Sequence, residues 1–376
     1  MSKLTRYKLS DLYEMSSGIS STKEQAGRGY PFVSFSTVFN NFFLPEELPD
    51  LMDTSSEEQE TFSVKKDDVF ITRTSETVDA LAMSCVAVKD YPKATFSGFV
   101  KRLRPKKKGI VYSRYIAFFL RSKYFRKVLD CNTIMTLRAS FNEDIFSFLY
   151  LYLPNYEEQV RIGDFLYKIE MKIRKNNKIN DNLEQQIKTI FTFQFLQNAN
   201  TEWKQQSLAE LSKMYQPKTI SGKDLIADGN YFVYGANGII GKYNQYNHSE
   251  SEIAVACRGA SCGSIQMTLP FSWITGNAMV VRPHSDFPYR EYLYYYLLAK
   301  NPNYLCSGSA QPQLTRENLT LYSLKVPPIT ELNAFESYAE KVRKIIIKNQ
   351  LENIELSTLR DWLLPMLMNG QATISD

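Results

Sequence analysis

Two heptad stripes of equal length constrain this 376-residue chain more than any other feature. Ile162, Leu166, Ile169, Ile173, Asn176, Asn180, Leu183, Ile187 and Ile190 alternate spacings of four and three. That spacing holds one side of an α-helix against a partner for four heptads. Phe335, Tyr338, Val342, Ile345, Asn349, Glu352, Leu356, Leu359 and Leu363 repeat it. A single stripe fits any helix lying on a core. Two equal stripes in one chain make each the partner of the other, so the sequence predicts two long helices paired as a coiled coil. Asn176 and Asn349 stand at the midpoints of the two seams. An in-register pairing puts them in one layer, which costs stability but sets register.

The stripes close two copies of one unit. Leu9-Ser10-Asp11-Leu12 resembles Leu208-Ala209-Glu210-Leu211 at an offset of 199, and Arg104-Pro105 resembles Arg282-Pro283 at 178. The aromatic helix near 114–120 matches 291–297 at 177, and Leu153-Pro154 matches Val326-Pro327 at 173. Offsets that fall steadily in one order describe a duplicated unit whose second copy lost residues from its variable part, and a period this long means duplicated domains rather than a solenoid. The boundaries are 1–157 for a first globular domain, 158–199 for a first helical spacer, 200–330 for a second globular domain and 331–376 for a second spacer. The second domain begins within a few residues of the first helix's end and delivers the chain to the second helix. With both domain ends close together, the helices run antiparallel with a globular domain at each end. The fold class is therefore mixed α/β (α+β): two globular domains, two long helices in an antiparallel coiled coil, and a pseudo-two-fold internal repeat. Strand-like runs fall at 31–38, 68–72, 82–88, 98–103, 231–234, 252–257, 264–268 and 278–282, with helices at 113–129 and 289–300.

Composition narrows the functional classes. The apolar runs fall far short of the ~20 residues of a membrane span, and residues 1–10 carry no secretory apolar core, so a soluble cytoplasmic protein is expected. Five cysteines without paired CxxC spacing argue against a disulfide framework or a structural zinc site, and two histidines leave little for His-based chemistry. No nucleophile elbow, Walker motif or acidic-x-Lys nuclease element is present. An Asn/Asp-Pro-Pro-aromatic tetrapeptide, which would hold an amine for methylation, is also missing; Val326-Pro327-Pro328-Ile329 lacks both its amide and its aromatic side chain. Such a chain binds rather than reacts.

The binding text lies in loops. Tyr234-Gly235-Ala236-Asn237-Gly238-Ile239-Ile240-Gly241-Lys242 mimics a phosphate-binding loop but has five residues between Gly235 and Gly241, and Tyr243 stands where the Ser or Thr belongs. Glycines mixed with Asn, Lys and Arg, here and in Cys257-Arg258-Gly259-Ala260-Ser261-Cys262-Gly263, suit backbone lying close to a polyanion; solvated hairpin turns would read the same way. Lys101, Arg102, Arg104, Lys106, Lys107 and Lys108 form the densest basic run, within a net charge of only +5. Duplex half-sites lie ~34 Å apart. The seam from Ile162 to Ile190 spans about 42 Å at the helical rise, a suitable order for a spacer between two readers.

These features together resemble the DNA specificity subunits of type I restriction–modification systems, over essentially the whole chain. The duplicated architecture carries the resemblance, with Leu153-Pro154-Asn155-Tyr156-Glu157-Glu158-Gln159 leading into the first spacer. The second copy, Val326-Pro327-Pro328-Ile329-Thr330-Glu331-Leu332, departs from it by placing Leu332 where Gln is expected. Tyr234–Lys242, Cys257–Gly263, 271–278 and 308–314 are similar to text frequent in the family's target-recognition domains. The resemblance implies a non-catalytic subunit whose two target-recognition domains read the halves of a bipartite double-stranded DNA target. It implies two modification (methyltransferase) subunits docked on the helices, restriction subunits completing the assembly, and S-adenosylmethionine, ATP and Mg on those partners with no cofactor in this chain. A helical scaffold that never touches DNA is the alternative. Arg reads guanine and Asn or Gln reads adenine in the major groove, so Arg73, Asn237, Arg258, Gln311 and Gln313 are the base-reading candidates. Lys101, Arg102, Lys218 and Lys242 are candidates for the DNA backbone, whose contacts position rather than specify. Lys168, Lys172, Arg174, Phe191 and Phe193, outside the seam, are candidate partner-docking positions.

Overall fold

The computed structural model describes residues 4–75, 81–132, 139–308 and 312–374. The chain divides into two compact units, one of residues 1–175 and 352–376, the other of residues 176–351.

In the first unit a four-stranded antiparallel sheet combines β1 (Tyr13–Ser17), β4 (Val69–Thr72), β5 (Ser84–Val86) and β7 (Val100–Pro105) in the order β1-β7-β4-β5. A second sheet joins β2 (Ala26–Val33), β3 (Asp50–Met52) and β6 (Thr95–Phe96) in the order β3-β2-β6, with β2 and β6 parallel. Every residue of β4 is buried, as its unbroken apolar run requires of a strand covered on both faces. Helix α1 (Ser113–Phe119) is likewise buried on nearly all sides.

Two sequence expectations change here. The strand foreseen at 31–38 ends at Val33, because the Ser34 hydroxyl caps Thr37 N at 3.2 Å and starts a helix over Phe35–Asn40. The single helix foreseen at 113–129 breaks after Phe119, where the Ser122 hydroxyl donates back to the Phe119 carbonyl and caps the next helix at Phe125 N.

Helix α2 (Tyr156–Phe191) begins under the Asn155 carboxamide, which accepts from Glu158 N at 2.9 Å. Gln159 explains why the motif before this helix ends in Gln. Its amide donates to the Ile110 and Pro154 carbonyls, and its oxygen accepts from Tyr112 N at 3.0 Å. At the equivalent point of the second copy Leu332 is a buried apolar plug, which does without those bonds. A π-helical turn over Thr192–Gln197 finishes the first long helix.

The second unit repeats the plan. Strands β8 (Ser212–Tyr215), β11 (Ile253–Ala256), β12 (Ile265–Met267) and β14 (Ala278–Pro283) make an antiparallel sheet ordered β8-β14-β11-β12. Strands β9 (Tyr231–Gly235), β10 (Gly238–Tyr243) and β13 (Trp273–Ile274) make a sheet ordered β10-β9-β13. Helix α3 (Arg290–Ala299) follows, and helix α4 (Ile329–Met368) closes the fold. The repeat extends to individual residues. Thr5 pairs with Leu153 in the first unit; Lys204, 199 positions after Thr5, pairs with Val326, 173 after Leu153.

Each unit holds a segment of both long helices, and in each they run antiparallel. In the first unit Arg360 Nη1 donates to Glu170 at 2.9 Å and Lys172 Nζ lies 3.1 Å from Glu352. In the second, Asn349 Nδ2 donates to Asn180 Oδ1 at 2.8 Å, and Arg343 is bonded to Glu184. Beside the expected Asn176–Asn349 layer, Asn349 bonds Asn180, one turn further on from Asn176, and Asn180 also donates to the Ile346 carbonyl at 3.3 Å; Asn176 itself is buried. The second seam shifts as well. Tyr338, Ile345 and Leu359 are exposed, while Ala339, Ile346 and Arg360 face inward. The bulkier apolar neighbour looked like the seam, but the close helix packing takes the small alanine and the ion-paired arginine.

The core of the second unit contains a buried ionic cluster. Arg343 donates to Glu291 at 3.0–3.2 Å, to Tyr295 at 3.0 Å and to Glu184, over the ring of Tyr294. Glu336 accepts from the first amides of α3, Glu291 N at 2.9 Å and Tyr292 N at 3.1 Å. Burial still pushes the Glu336 carboxyl up to about 7. The folded chain therefore holds this proton more tightly than the unfolded chain. The associated stability is complete below the ordinary carboxyl range and is lost as pH rises through about 7, a swing of about 3 kcal/mol at 1.36 kcal/mol per unit. Urea midpoints between pH 5 and 8 should fall across that window, and Glu336→Gln should flatten that part of the slope.

Candidate nucleic-acid interface

In the second unit the base-reading candidates gather around one turn. The Thr275 amide donates to the Tyr234 carbonyl at 3.0 Å, and the Asn277 carbonyl accepts from Cys257 N at 2.9 Å. The ends of β9 and β11 therefore flank residues 275–277. Beyond β9, Asn237 stands exposed in a two-residue hairpin turn completed by Gly238 at φ +91°. The sequence that imitated a phosphate-binding loop is this hairpin. Gln266 Nε2 anchors it by donating to the Gly235 carbonyl at 3.0 Å. Beyond β11, Arg258 is exposed and opposes Gln313 in an antiparallel bridge.

Backbone bonds secure that bridge. Gly259 N donates to the Pro312 carbonyl at 3.1 Å and Leu314 N to the Cys257 carbonyl at 2.9 Å, while Ser307 and Gln313 exchange bonds of 2.9 and 2.7 Å. Residues directly opposite in such a pair project to one face with Cβ atoms about 5 Å apart. Exposed Arg258 and Gln313 thus stand side by side on a fixed backbone. Lys218 is exposed nearby; its carbonyl accepts from Trp273 Nε1 at 3.1 Å, and Thr219 Oγ1 accepts from Gly276 N at 3.1 Å. Lys242 is not part of this group. It pairs with Phe232 towards the open end of the hairpin, its Nζ 5.5 Å from that ring's centre. Gln311 lies outside the described residues.

The first unit builds the same rim with different side chains. Arg73 N donates to the Phe99 carbonyl at 2.9 Å and the Arg73 carbonyl accepts from Phe141 N at 2.8 Å. These bonds match those of Cys257 with Asn277 and Leu314, so exposed Arg73 occupies the place of buried Cys257. The place of Arg258 belongs to Thr74, and that of Gln313 to Ser140, its bridge partner. Phe99, in the place of Asn277, is 66% exposed. Reading residues for base chemistry alone passes over Ser140 and Phe99; carrying the 178-residue offset through the loops finds Phe99.

Four sequence assignments need correction. Lys101 and Arg102 do not project toward solvent. On β7, the central strand between β1 and β4, the Lys101 ammonium donates to Ser17 Oγ at 2.8 Å and Arg102 Nη1 to the Ser63 carbonyl at 2.6 Å. Burial pulls both of their pKa values down. Of the docking candidates, Phe191 is buried among Phe195, Tyr292 and Phe335, and Arg174 turns onto the Phe43 carbonyl at 2.5 Å. Lys168 and Lys172 are exposed, as is Phe193, at 59%. His248 is a structural group, held by Tyr215 and Asn247, and burial lowers its pKa to about 4. Among the described residues no group of three or more His, Cys, Asp or Glu side chains is placed to hold a metal ion. No helix among them is long and apolar enough to cross a membrane.

The family model for the type I restriction modification DNA specificity domain matches residues 1–185 and again residues 200–357. Over 132 residues the chain is 30% identical to the type I restriction enzyme EcoprrI specificity subunit of Escherichia coli, a match covering 34% of this chain and 33% of that subunit. It is 22% identical over 333 residues to the type I restriction enzyme MjaIX specificity subunit of Methanocaldococcus jannaschii, covering 77% and 76% of the two chains. The crystal structure of a type I restriction–modification S subunit from M. genitalium shares the fold with a TM-score of 0.66 at 14% identity, over 97% of this chain and 96% of that one. The chain belongs to the type I restriction–modification DNA specificity family, whose members are non-catalytic specificity subunits.

The inward geometry of β7 separates stability from DNA contact. Arg102→Ala should cost about 1.5–3 kcal/mol, the range for a charged hydrogen bond lost from a buried setting, measured by urea denaturation. It should leave the salt dependence of duplex binding unchanged.

Proposed function

We propose that the chain reads a bipartite double-stranded DNA target, each unit recognising one half, and directs adenine methylation and restriction by partner subunits. The observation that carries this reading is the recurrence, in two copies of the family domain, of one bridged rim exposing side chains suited to base edges. In the second unit Arg258, Gln313 and Asn237 read bases, Gln311 is assigned the same role, and Lys218 contacts a phosphate. Lys242, away from this rim, serves a flanking phosphate. In the first unit Arg73 reads bases, with Phe99 beside it packing against an apolar base edge.

The paired helices set the unspecified gap between half-sites. Two modification subunits, carrying S-adenosylmethionine, dock on exposed helix positions including Lys168, Lys172 and Phe193. Restriction subunits supply ATP-dependent, Mg-dependent chemistry, and the assembly acts in the cytoplasm. A chain with 45 basic and 40 acidic residues suits a subunit that shares the duplex with larger partners.

Base readers and phosphate contacts are distinguished by what their loss does. Arg258→Ala should relax the preference at one base pair of one half-site, a loss of about 1–3 kcal/mol in discrimination. Lys218→Ala should weaken all sequences alike and reduce the salt slope by about one. Selection of bound duplexes from a randomised pool reads both; a target unchanged by Arg258→Ala removes the base-reading assignment.

The spacer is tested separately. Removing one heptad from each long helix should change the tolerated gap, read as the spacing between methylated half-sites when the modification subunit is present. An unchanged gap would show that the helices do not act as the ruler.

A further inference from the structure

The fold divides the chain's densest basic run. Lys101 and Arg102 point inward, and Arg104 forms a two-bond pair with Asp68 at 2.7 Å. Lys106 Nζ donates to the Ser10 carbonyl at 2.8 Å, and the last two charges, Lys107 and Lys108, sit on the exposed turn after β7. That turn faces a second one at Lys66-Asp67, and together they border a cleft of about 370 Å³ lined by Lys66, Lys107, Lys108, Arg114, Tyr112 and Tyr156. The volume falls in the range of small-ligand sites. Left-handed residues shape both turns, Gly109 at φ +77° and Asp67 at φ +70°. For a non-glycine residue such as Asp67 this conformation is strained and persists only where its surroundings enforce it.

The charge in the cleft is unbalanced. Asp67, the carboxylate of the lining, is engaged by the Ser113 hydroxyl at 2.5 Å, and Arg114 is neutralised by Asp164 at 2.7 Å. Lys66, Lys107 and Lys108 take part in no ion pair among the described residues. Three ammonium groups against the single Asp67 carboxylate leave the concavity net positive, which suits an anion carrying several charges. Beside them, the Tyr156 ring packs edge-on to Tyr112 with centroids 6.0 Å apart and remains partly exposed, presenting a surface for a flat ring.

We propose that this cleft binds a free nucleoside polyphosphate, with its phosphates among Lys66, Lys107 and Lys108 and its base against Tyr156. The site is separate from the base-reading rim. Phe99, which bonds Arg73, lies just before β7, whereas Lys107 lies just beyond its far end, about 20 Å away at the rise of a six-residue strand. Duplex phosphates offer the same anionic chemistry, but a bounded cleft with an aromatic wall suits a free nucleotide better than a continuous backbone.

The test is calorimetric titration of the full-length chain with ADP, with inorganic pyrophosphate and with a duplex lacking any target. The expected result is saturable ADP binding at one site. The triple variant Lys66→Ala/Lys107→Ala/Lys108→Ala should weaken it by roughly tenfold or more and leave duplex affinity unchanged. Tyr156→Leu should bring ADP down to the affinity of pyrophosphate without altering pyrophosphate itself. Because the three lysines are exposed, thermal melts of the triple variant should match those of the parent chain; if they do not, Lys107→Glu alone serves as the substitution. Absence of saturable ADP binding overturns the proposal, as does ADP binding indifferent to the lysines. Duplex binding weakened by the lysine changes without any ADP binding also overturns it, and assigns the cleft to DNA backbone. None of these outcomes depends on which residues read bases.

Discussion

The antiparallel pairing of the two long helices is the constraint on which both units depend, and charge as well as apolar contact specifies it. In each unit a well-buried ion pair joins α2 to α4, and in both cases α2 supplies the acid and α4 the arginine: Glu170 with Arg360, Glu184 with Arg343. Two copies of α2 laid together would oppose carboxylates, and two copies of α4 would oppose guanidinium groups. The exposed Lys172–Glu352 pair runs the other way, but an exposed pair contributes little. Arg343 carries the heaviest electrostatic load, since Glu291 is fully buried and has that guanidinium as its counter-ion. Removing one partner from such a cluster strands a charge and typically costs about 3–5 kcal/mol. The cluster therefore ties helix pairing to the placement of α3, and through α3 to the sheet beside the bridged rim of Arg258 and Gln313.

What could be read from the chain in advance followed from periodicity. The offsets of 199 and 173 drawn from short peptide matches reappear as the strand pairs Thr5–Leu153 and Lys204–Val326. The helix direction was legible for the same reason, because it follows from connection length rather than from any side chain. The details that failed were decided by packing. Ala339 and Arg360 displaced Tyr338 and Leu359 from the seam because a close interface admits a small residue or a paired charge where local hydropathy favours a large apolar one.

The site followed the same division. Arg258, Gln313, Asn237 and Lys218 are loop residues, and the loop composition that marked them survives in an exposed arrangement. Lys101 and Arg102 belong to a charge run that reads as surface, whereas β7 is a central strand that turns both cations inward, onto Ser17 Oγ and the Ser63 carbonyl. That Thr74 and Ser140 stand in the places of Arg258 and Gln313 could not come from residue chemistry, only from the ladder that aligns them.

One pair of equivalent positions shows how far the two copies have diverged. Gly163 and Glu336 stand at the same point of the repeat, each against the first amides of the buried aromatic helix of its own unit. In the first unit α2 comes so near that a Cβ on Gly163 would lie 2.7 Å from Tyr115 N; in the second, the corresponding Tyr292 N is met by the Glu336 carboxylate at 3.1 Å. One copy closes the gap with bare backbone and the other fills it with a capping side chain. A recombination that exchanged the globular parts while leaving the helices in place would press the first unit's helix against a carboxylate and leave the second unit's helix uncapped. Viable shuffling of these domains must therefore carry the first turns of the adjoining long helix along with each one.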